Sequence, residues 1–271
     1  MVDVTPDPIM RIALGFMAAK HLFVASAVGL FEALNGGPAT LDELASKCGV
    51  PRRTLGISAD AMASLGLVER DGDRYRNSAV AEAFLAGASG PDLRPMLRFW
   101  DRISYPAWLR LEATIRSGEG QSIFDRLPEE EQRIFSAGVE AFTAGAAAAL
   151  GSAYDFSSHR QVLDIAGGTG SFLIAILRRY PTLHGTLFEL PGACAVARER
   201  LAREPEGARV AVVEDQHRCA AFVRVFVHFT LEFRLDRKRH LKRRTARDQA
   251  RARKCRTAVR HHHGVLRPGI Q

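Results

Sequence analysis

The stretch that most constrains this chain is residues 162–170. A short apolar run, Val162-Leu163-Asp164-Ile165-Ala166, is closed by Gly167-Gly168-Thr169-Gly170. Helix-spaced Phe172, Ile176 and Leu177 then lead to Tyr180-Pro181. An apolar run that passes through glycines into a helix opens a βα unit. The pattern continues with a second run at residues 185–189, a helix at about 193–203 and a third run at 209–214. Strands alternating with helices at this spacing predict an α/β fold with a parallel sheet and crossover helices. Ligands of such sheets bind beyond the strand C-termini. Glycines there let a ligand approach the backbone, and the helix that follows offers free N–H groups. Glu189 closes the second strand nineteen residues after Gly170. A carboxylate at that place can accept hydrogen bonds from two ribose hydroxyls, so the pattern points to a nucleoside-bearing cofactor. The competing readings are a plain tight βα turn for the glycines and a solvated strand end for Glu189. A dinucleotide fingerprint would need a third glycine where Leu173 stands, and a P-loop would need a lysine that is missing.

The N-terminal third has a different grammar. Ile12, Phe16, Ala19, Phe23, Ala27, Leu30 and Leu34 recur at helical spacing, predicting one helix over residues 9–34 that stops at Gly36-Gly37-Pro38. Thr40 and Glu43 form a capping-box pattern for a short helix through Lys47, ended by Gly49. Pro51 starts another helix, at about 52–65. Leu67 and Val68 then lead through Asp71-Gly72-Asp73, a hairpin turn signal, to Tyr75 and Arg76. Helix, turn, helix and hairpin in this order predict a winged helix-turn-helix. Residues 79–150 read as mostly helical and interrupted at Pro106. The aromatics Phe99, Trp100, Tyr105, Trp108, Phe135 and Phe142 fit core or dimer packing better than an acceptor pocket. Arg52 and Arg53 at the start of the second helix would be the DNA-facing charges of a winged-helix regulator, but they are few.

With both halves in view, the chain over about residues 10–214 resembles the S-adenosylmethionine-dependent O-methyltransferases of plant natural-product and bacterial polyketide tailoring. The resemblance is carried by Asp164-Ile165-Ala166-Gly167-Gly168-Thr169-Gly170, by Tyr154-Asp155-Phe156 before it and by Phe188-Glu189-Leu190-Pro191 after it. It implies a winged-helix domain that makes a homodimer, helices that shape the pocket of a small aromatic hydroxyl acceptor, and S-adenosyl-L-methionine as cofactor. It divides the chain into a winged-helix domain (9–90), linker and pocket helices (91–150), a partial Rossmann-like cofactor domain (151–215) and a basic tail (216–271). Carried over by position, Ala166, Gly167, Gly168 and Gly170 line the methionine and sulfonium end, Asp164 orders the turn and Glu189 holds the ribose. Asp215 falls where the family cradles adenine. Ala166 departs from the pattern, since the family usually has the first of three glycines there. Its methyl is tolerable if φ is negative, and crowding of the cofactor is the other consequence to expect of it.

Beyond residue 214 the resemblance stops, and the charge changes with it. Residues 1–215 hold 22 Lys+Arg against 27 Asp+Glu, whereas residues 216–271 hold 16 against 3 and six of the nine histidines. The net charge of +8 therefore belongs to the tail, and nucleic acid is not an expected partner of the body. Three readings fit the tail. It is the product of a reading-frame shift, which the abrupt break favours; or a basic nucleic-acid arm over 237–260; or a substitute strand, given the strict alternation of residues 223–235. On any of them the segment that carries the family's catalytic base is absent, so no catalytic residue is assigned, His228 included, and impaired activity is expected. His261-His262-His263 lacks further ligands at metal spacing. Four scattered cysteines without a CxxC pair favour a reducing compartment. The acidic, proline-containing N-terminus is not a signal peptide, and the ten-residue apolar stretch 22–31 is too short to span a bilayer. A soluble cytoplasmic protein is the expectation. A winged-helix transcriptional regulator and a nicotinamide-linked oxidoreductase are the rival classes.

Overall fold

The computed structural model describes residues 4–87, 90–120 and 127–214. Asp215, His228, the 223–235 alternation, the 237–260 charge run and the three C-terminal histidines lie outside them.

The N-terminal unit begins with α1 (Asp7–Ala27) and α2 (Leu30–Ala33). The single helix expected over residues 9–34 is thus two. Gly29 sits in the left-handed region (φ 77°) and ends the first, so that Leu30 and Phe31 turn fully into the core. After β1 (Ala39–Thr40) comes α3 (Leu41–Cys48). Its capping box is formed as expected: the Glu43 N–H donates to Thr40 Oγ1 (3.3 Å) and the Thr40 N–H to Glu43 Oε2 (2.7 Å). The Thr40 N–H, and after it the Thr40 hydroxyl (3.1 Å from Oε2), hold the Glu43 carboxyl below the usual carboxylate range. The helix α4 (Arg52–Ser64) leads to the hairpin β2 (Val68–Asp71) and β3 (Arg74–Asn77). Asp71 pairs with Arg74 across the two-residue loop, whose first residue, Gly72, takes positive φ as a type II′ turn demands. The three strands form an antiparallel sheet in the order β1-β3-β2, and Leu34, Leu44, Leu55, Met62 and Val68 fill the core beneath it.

Next come α5 (Ala79–Leu85), α6 (Arg94–Phe99), α7 (Tyr105–Trp108), α8 (Leu111–Ser117) and the long α9 (Glu129–Ala153). Pro106 does not break the chain here, contrary to expectation. A π-helical turn over Trp100–Ser104 joins α6 to α7 and places Pro106 in the first turn of α7. The wider turn takes up a ring that lacks an N–H and would crowd the preceding carbonyls of an α-helix. α9 packs along α6 through Gly138, where a Cβ would come within 2.3 Å of Phe99 Cβ. By length and composition alone α1 and α9 would each suffice to cross a bilayer. Length and composition alone are weak evidence of a span, and α9 opens with Glu129, Glu130 and Glu131 and packs on α6 and on the helices that follow it.

The C-terminal part is β4 (Gln161–Ile165), α10 (Ser171–Arg179), β5 (His184–Glu189), α11 (Pro191–Leu201) and β6 (Val210–Glu214), with a 3₁₀ turn before the last strand. The strands are parallel in the order β4-β5-β6, as the alternation predicts. Val162, Leu187, Val210 and Val212 meet Leu173 and Ala197 of α10 and α11 on one face. Leu163 and Val213, one residue out of phase, face away and are exposed. Gly185 lets α10 lie close, since a Cβ there would meet Leu173 at 3.1 Å. Arg209 closes the end of α10 by donating to the carbonyls of Leu177 and Leu183, both at 2.9 Å, and Tyr180 at 3.2 Å.

Candidate functional site

The C-terminal ends of β4 and β5 carry the site. Ile165 pairs with Phe188, and the Ala166 N–H still donates to the Phe188 carbonyl (2.9 Å) before the chain leaves the sheet. It leaves through three left-handed residues in alternation: Ala166 (φ 58°), Gly168 (φ 60°) and Gly170 (φ 84°). The Gly170 N–H donates to the Gly167 carbonyl (3.0 Å), closing a tight turn, and Gly170 becomes the N-cap of α10.

Each glycine is there for its own reason. A Cβ on Gly167 would lie 2.3 Å from Asp164 Oδ2, so the Asp164 carboxylate folds directly over a bare Cα. Gly168 faces open space with nothing within 4 Å of a would-be Cβ, so a ligand can reach its peptide. Gly170 has room for a methyl but not the backbone angle for one. Ala166 is the only non-glycine residue with positive φ among the described residues. The tolerable case expected from the sequence, negative φ, is therefore not the one realised. An L-residue here carries about 1–2 kcal/mol of local strain.

Two acids flank the turn. Glu189 is buried, and its carboxylate accepts the Gly168 N–H (3.1 Å) on Oε1 and the Leu190 N–H on Oε2. It thereby braces the second strand against the glycine turn, and is not a solvated strand end. Asp164 Oδ2 is buried with no hydrogen-bond partner among the described residues. Burial first, and the nearby Glu189 charge second, push its carboxyl up to about 6. An unsatisfied carboxylate oxygen is expensive in a packed interior and is accounted for when a donor group is to bind against it. Four of the seven residues singled out in the sequence, Ala166, Gly167, Gly168 and Gly170, thus lie in one turn, Asp164 folds over it from the end of β4, and Glu189 reaches it from the next strand. Asp215, which follows β6, is outside the described residues.

Sequence reasoning missed two residues that reach the turn from outside its motif. Arg200 of α11 donates through Nη1 to Thr169 Oγ1 (2.8 Å) and Ser171 Oγ (2.7 Å), and its Nη2 lies 2.7 Å from Glu140 Oε1 of α9. Only the helical period, which puts Glu140 and Arg200 on inward faces, hinted at them. The aromatic group divides instead of converging. Phe99 stacks edge-on against Phe135 (5.2 Å between centroids), Tyr105 packs on Phe23 (6.5 Å), and Trp108 is exposed. Tyr105 also borders a cavity of about 350 Å³ between α1 and α4, lined by Phe16, Lys20 and Ile57 and remote in sequence from the glycine turn. Of the two α4 arginines expected of a DNA reader, Arg52 is paired with Asp42 (2.7 Å) and Arg53 is exposed, and the surface beside them is apolar, with Ile57 and, on α1, Ile12 and Phe16 exposed.

Comparison with known proteins agrees with this architecture. Residues 10–87 match the O-methyltransferase dimerisation domain, and residues 108–220 match the O-methyltransferase domain. The chain is 33% identical over 206 residues to 3-hydroxy-5-methyl-1-naphthoate 3-O-methyltransferase of Streptomyces sahachiroi, which covers 73% of this chain and 59% of that enzyme. It is 30% identical to the N,N-dimethyltransferase OxyT of Streptomyces rimosus, over 70% of this chain and 58% of that one. Among solved structures, PigF with S-adenosylhomocysteine superposes with a TM-score of 0.70 at 30% identity, covering 79% of this chain and 67% of that one. The chain spans about three fifths of the length of the two Streptomyces relatives.

Proposed function

Because the chain belongs to the O-methyltransferase family, with both its dimerisation domain and its methyltransferase domain represented, we propose that it is an S-adenosylmethionine-dependent methyltransferase acting on a hydroxyl of a small aromatic molecule. The observation that carries the reading is the β4–α10 turn: a bare Gly168 peptide between an unsatisfied Asp164 oxygen and the Glu189 carboxylate. These residues fit the cofactor. Gly167, Gly168 and Gly170 let it lie against backbone, Ala166 borders it, Asp164 orders the turn and offers its free oxygen to a donor, and Glu189, whose two oxygens each also accept a backbone N–H, is assigned to the ribose hydroxyls. Asp215 is assigned to the adenine end. When bound, S-adenosylmethionine supplies an electrophilic methyl group. The protein's own contribution is to position the acceptor oxygen in line with that group and to shield both from water. The naphthoate and tetracenomycin methyltransferases among the relatives support an aromatic hydroxyl acceptor. The naming of OxyT as an N,N-dimethyltransferase makes amines the first alternative to test.

The same reading gives the domain division 9–90, 91–150, 151–215 and 216–271, a cytoplasmic location and a homodimer. Exposed Ile12, Phe16 and Ile57 on α1 and α4 are the face that dimerisation would cover. An apolar face of this kind suits a second protein surface and not a phosphate backbone, so the regulator reading has no support on this side. The expected impairment rests on residues 216–271 and is decided by activity.

The test is calorimetry on the full chain with S-adenosylmethionine, S-adenosylhomocysteine and NAD, followed by methyl transfer to a panel of phenols, naphthols and aryl amines. Micromolar binding of both adenosyl compounds and none of NAD is expected. A folded protein that binds neither adenosyl compound overturns the proposal, and turnover on any acceptor overturns the expectation of impairment.

A further inference from the structure

Three elements converge on the junction between the glycine turn and α10, and one arginine joins them. Arg200 stands near the end of α11. Its guanidinium reaches both hydroxyls that flank Gly170, at 2.8 Å from Thr169 Oγ1 and 2.7 Å from Ser171 Oγ. Its other Nη is 2.7 Å from Glu140 Oε1. Thr169 completes the ring by donating to Glu140 Oε2 (3.3 Å), so its hydroxyl accepts from the arginine and donates to the acid. The side chains of Arg200 and Glu140 are 22% and 35% exposed, and Thr169 is buried.

Neither helix packing nor capping calls for a cation here. α11 is already fastened to α9 one residue earlier, where Arg133 makes two bonds to Glu199 (2.6 and 2.9 Å). A positive charge at the start of α10 opposes that helix's dipole, and Glu140 compensates it. What Arg200 does that the neighbouring ion pair does not is hold the turn itself. Gly168 and Gly170 both take positive φ, and glycine peptides left to themselves sample many orientations.

We propose that Arg200, held by Glu140, is a positioning residue for the cofactor-binding turn: it fixes Thr169 and Ser171, and with them the Gly168–Gly170 peptides, relative to α9. The proposal rests on reading that turn as the cofactor site. Since α9 also packs along α6 through Gly138, the same ring ties the turn to the helix that contacts the N-terminal unit.

The test uses the full chain and three variants. Arg200→Met keeps the stem and removes the guanidinium, Arg200→Lys restores a cation, and Glu199→Gln cuts the adjacent α9–α11 ion pair without touching the turn. Two amides report directly, because Gly168 N–H is held by Glu189 and Gly170 N–H by the Gly167 carbonyl. Loss of two charge-assisted hydrogen bonds predicts that exchange at these amides in ligand-free Arg200→Met rises about tenfold or more, with a similar rise in the S-adenosylhomocysteine Kd. Arg200→Lys should recover part of both, and Glu199→Gln should leave both within about twofold of the parent. Unchanged exchange in Arg200→Met, or an equal loss in Glu199→Gln, overturns the proposal, the second outcome reducing Arg200 to a helix fastener. If Arg200→Met fails to fold, Thr169→Val and Glu140→Gln read the same amides. Failure of the parent chain to bind the adenosyl compounds sinks the functional reading alone, while the exchange measurement still decides what Arg200 does to the turn.

Discussion

Replacing Asp164 by asparagine should make the protein more stable and a worse binder of its cofactor. The carboxyl rises from an ordinary 3.8 to about 6, because it is buried and faces Glu189, and its Oδ2 has no partner among the described residues. A rise of that size corresponds to about 3 kcal/mol of penalty on the ionised form. The folded protein binds this proton more tightly than the unfolded chain does. The Asp164 contribution to stability is therefore fully favourable below about pH 4, falls as pH rises through the interval from 4 to 6, and is lost above it. Asparagine has nearly the same shape and no charge, but it leaves a buried amide to satisfy. A net gain of about 1–2 kcal/mol at pH 7.5 is expected after that cost. Urea unfolding of Asp164→Asn and the parent at pH 7.5, 6 and 4 is the assay, with the gain vanishing as pH falls and the variant ending about 1–2 kcal/mol less stable at the acid end, where only the cost of the buried amide remains. S-adenosylhomocysteine affinity, measured on the same samples at pH 7.5, should drop about tenfold, the cost of losing one charged acceptor. A variant that is less stable than the parent at pH 7.5, with a difference that ignores pH, would refute the reasoning, for it would mean that the carboxylate is satisfied in the folded protein.

Further perturbations probe other joints. Ala166→Gly removes left-handed strain of about 1–2 kcal/mol and gives back part of it as added freedom of the unfolded chain, so a net gain of about 0.5–1 kcal/mol in chemical denaturation is expected. If the methyl crowds the cofactor, the same variant binds S-adenosylhomocysteine more tightly. Gly138→Ala puts a methyl 2.3 Å from Phe99 Cβ and should cost about 1–3 kcal/mol by forcing α9 away from α6, read as a lowered Tm. Phe16→Lys together with Ile57→Lys places two charges on the apolar face of α1 and α4. Sedimentation velocity should then show monomer where the parent shows dimer, at an unchanged circular dichroism spectrum.

Much of the scaffold was legible because it is written in local chemistry. The Thr40–Glu43 box, Gly49, the Gly72 loop and the strand–glycine–helix order each use a residue type whose backbone or side-chain preference acts over three or four positions. The parallel sheet followed from alternation, and Asp164, Gly167, Gly168 and Gly170 came with the turn that needs them. The errors arose where a period hides a break. The apolar repeat through residues 9–34 continues across Gly29 although its φ ends the helix, and Pro106 is absorbed by a π-turn that no sequence pattern announces.

By itself the sequence determined which residues can form the turn, since absence of a Cβ, a β-run before it and a helix after it are properties of adjacent positions. Only the tertiary structure decided how that turn is held. Glu189 bracing Gly168, the unpartnered Asp164 oxygen, the left-handed Ala166 and the grip of Arg200 and Glu140 all depend on packing between segments 20 to 60 residues apart. Charge, burial and hydrogen-bond supply there are set by what the fold brings alongside, and a linear pattern carries no record of those neighbours.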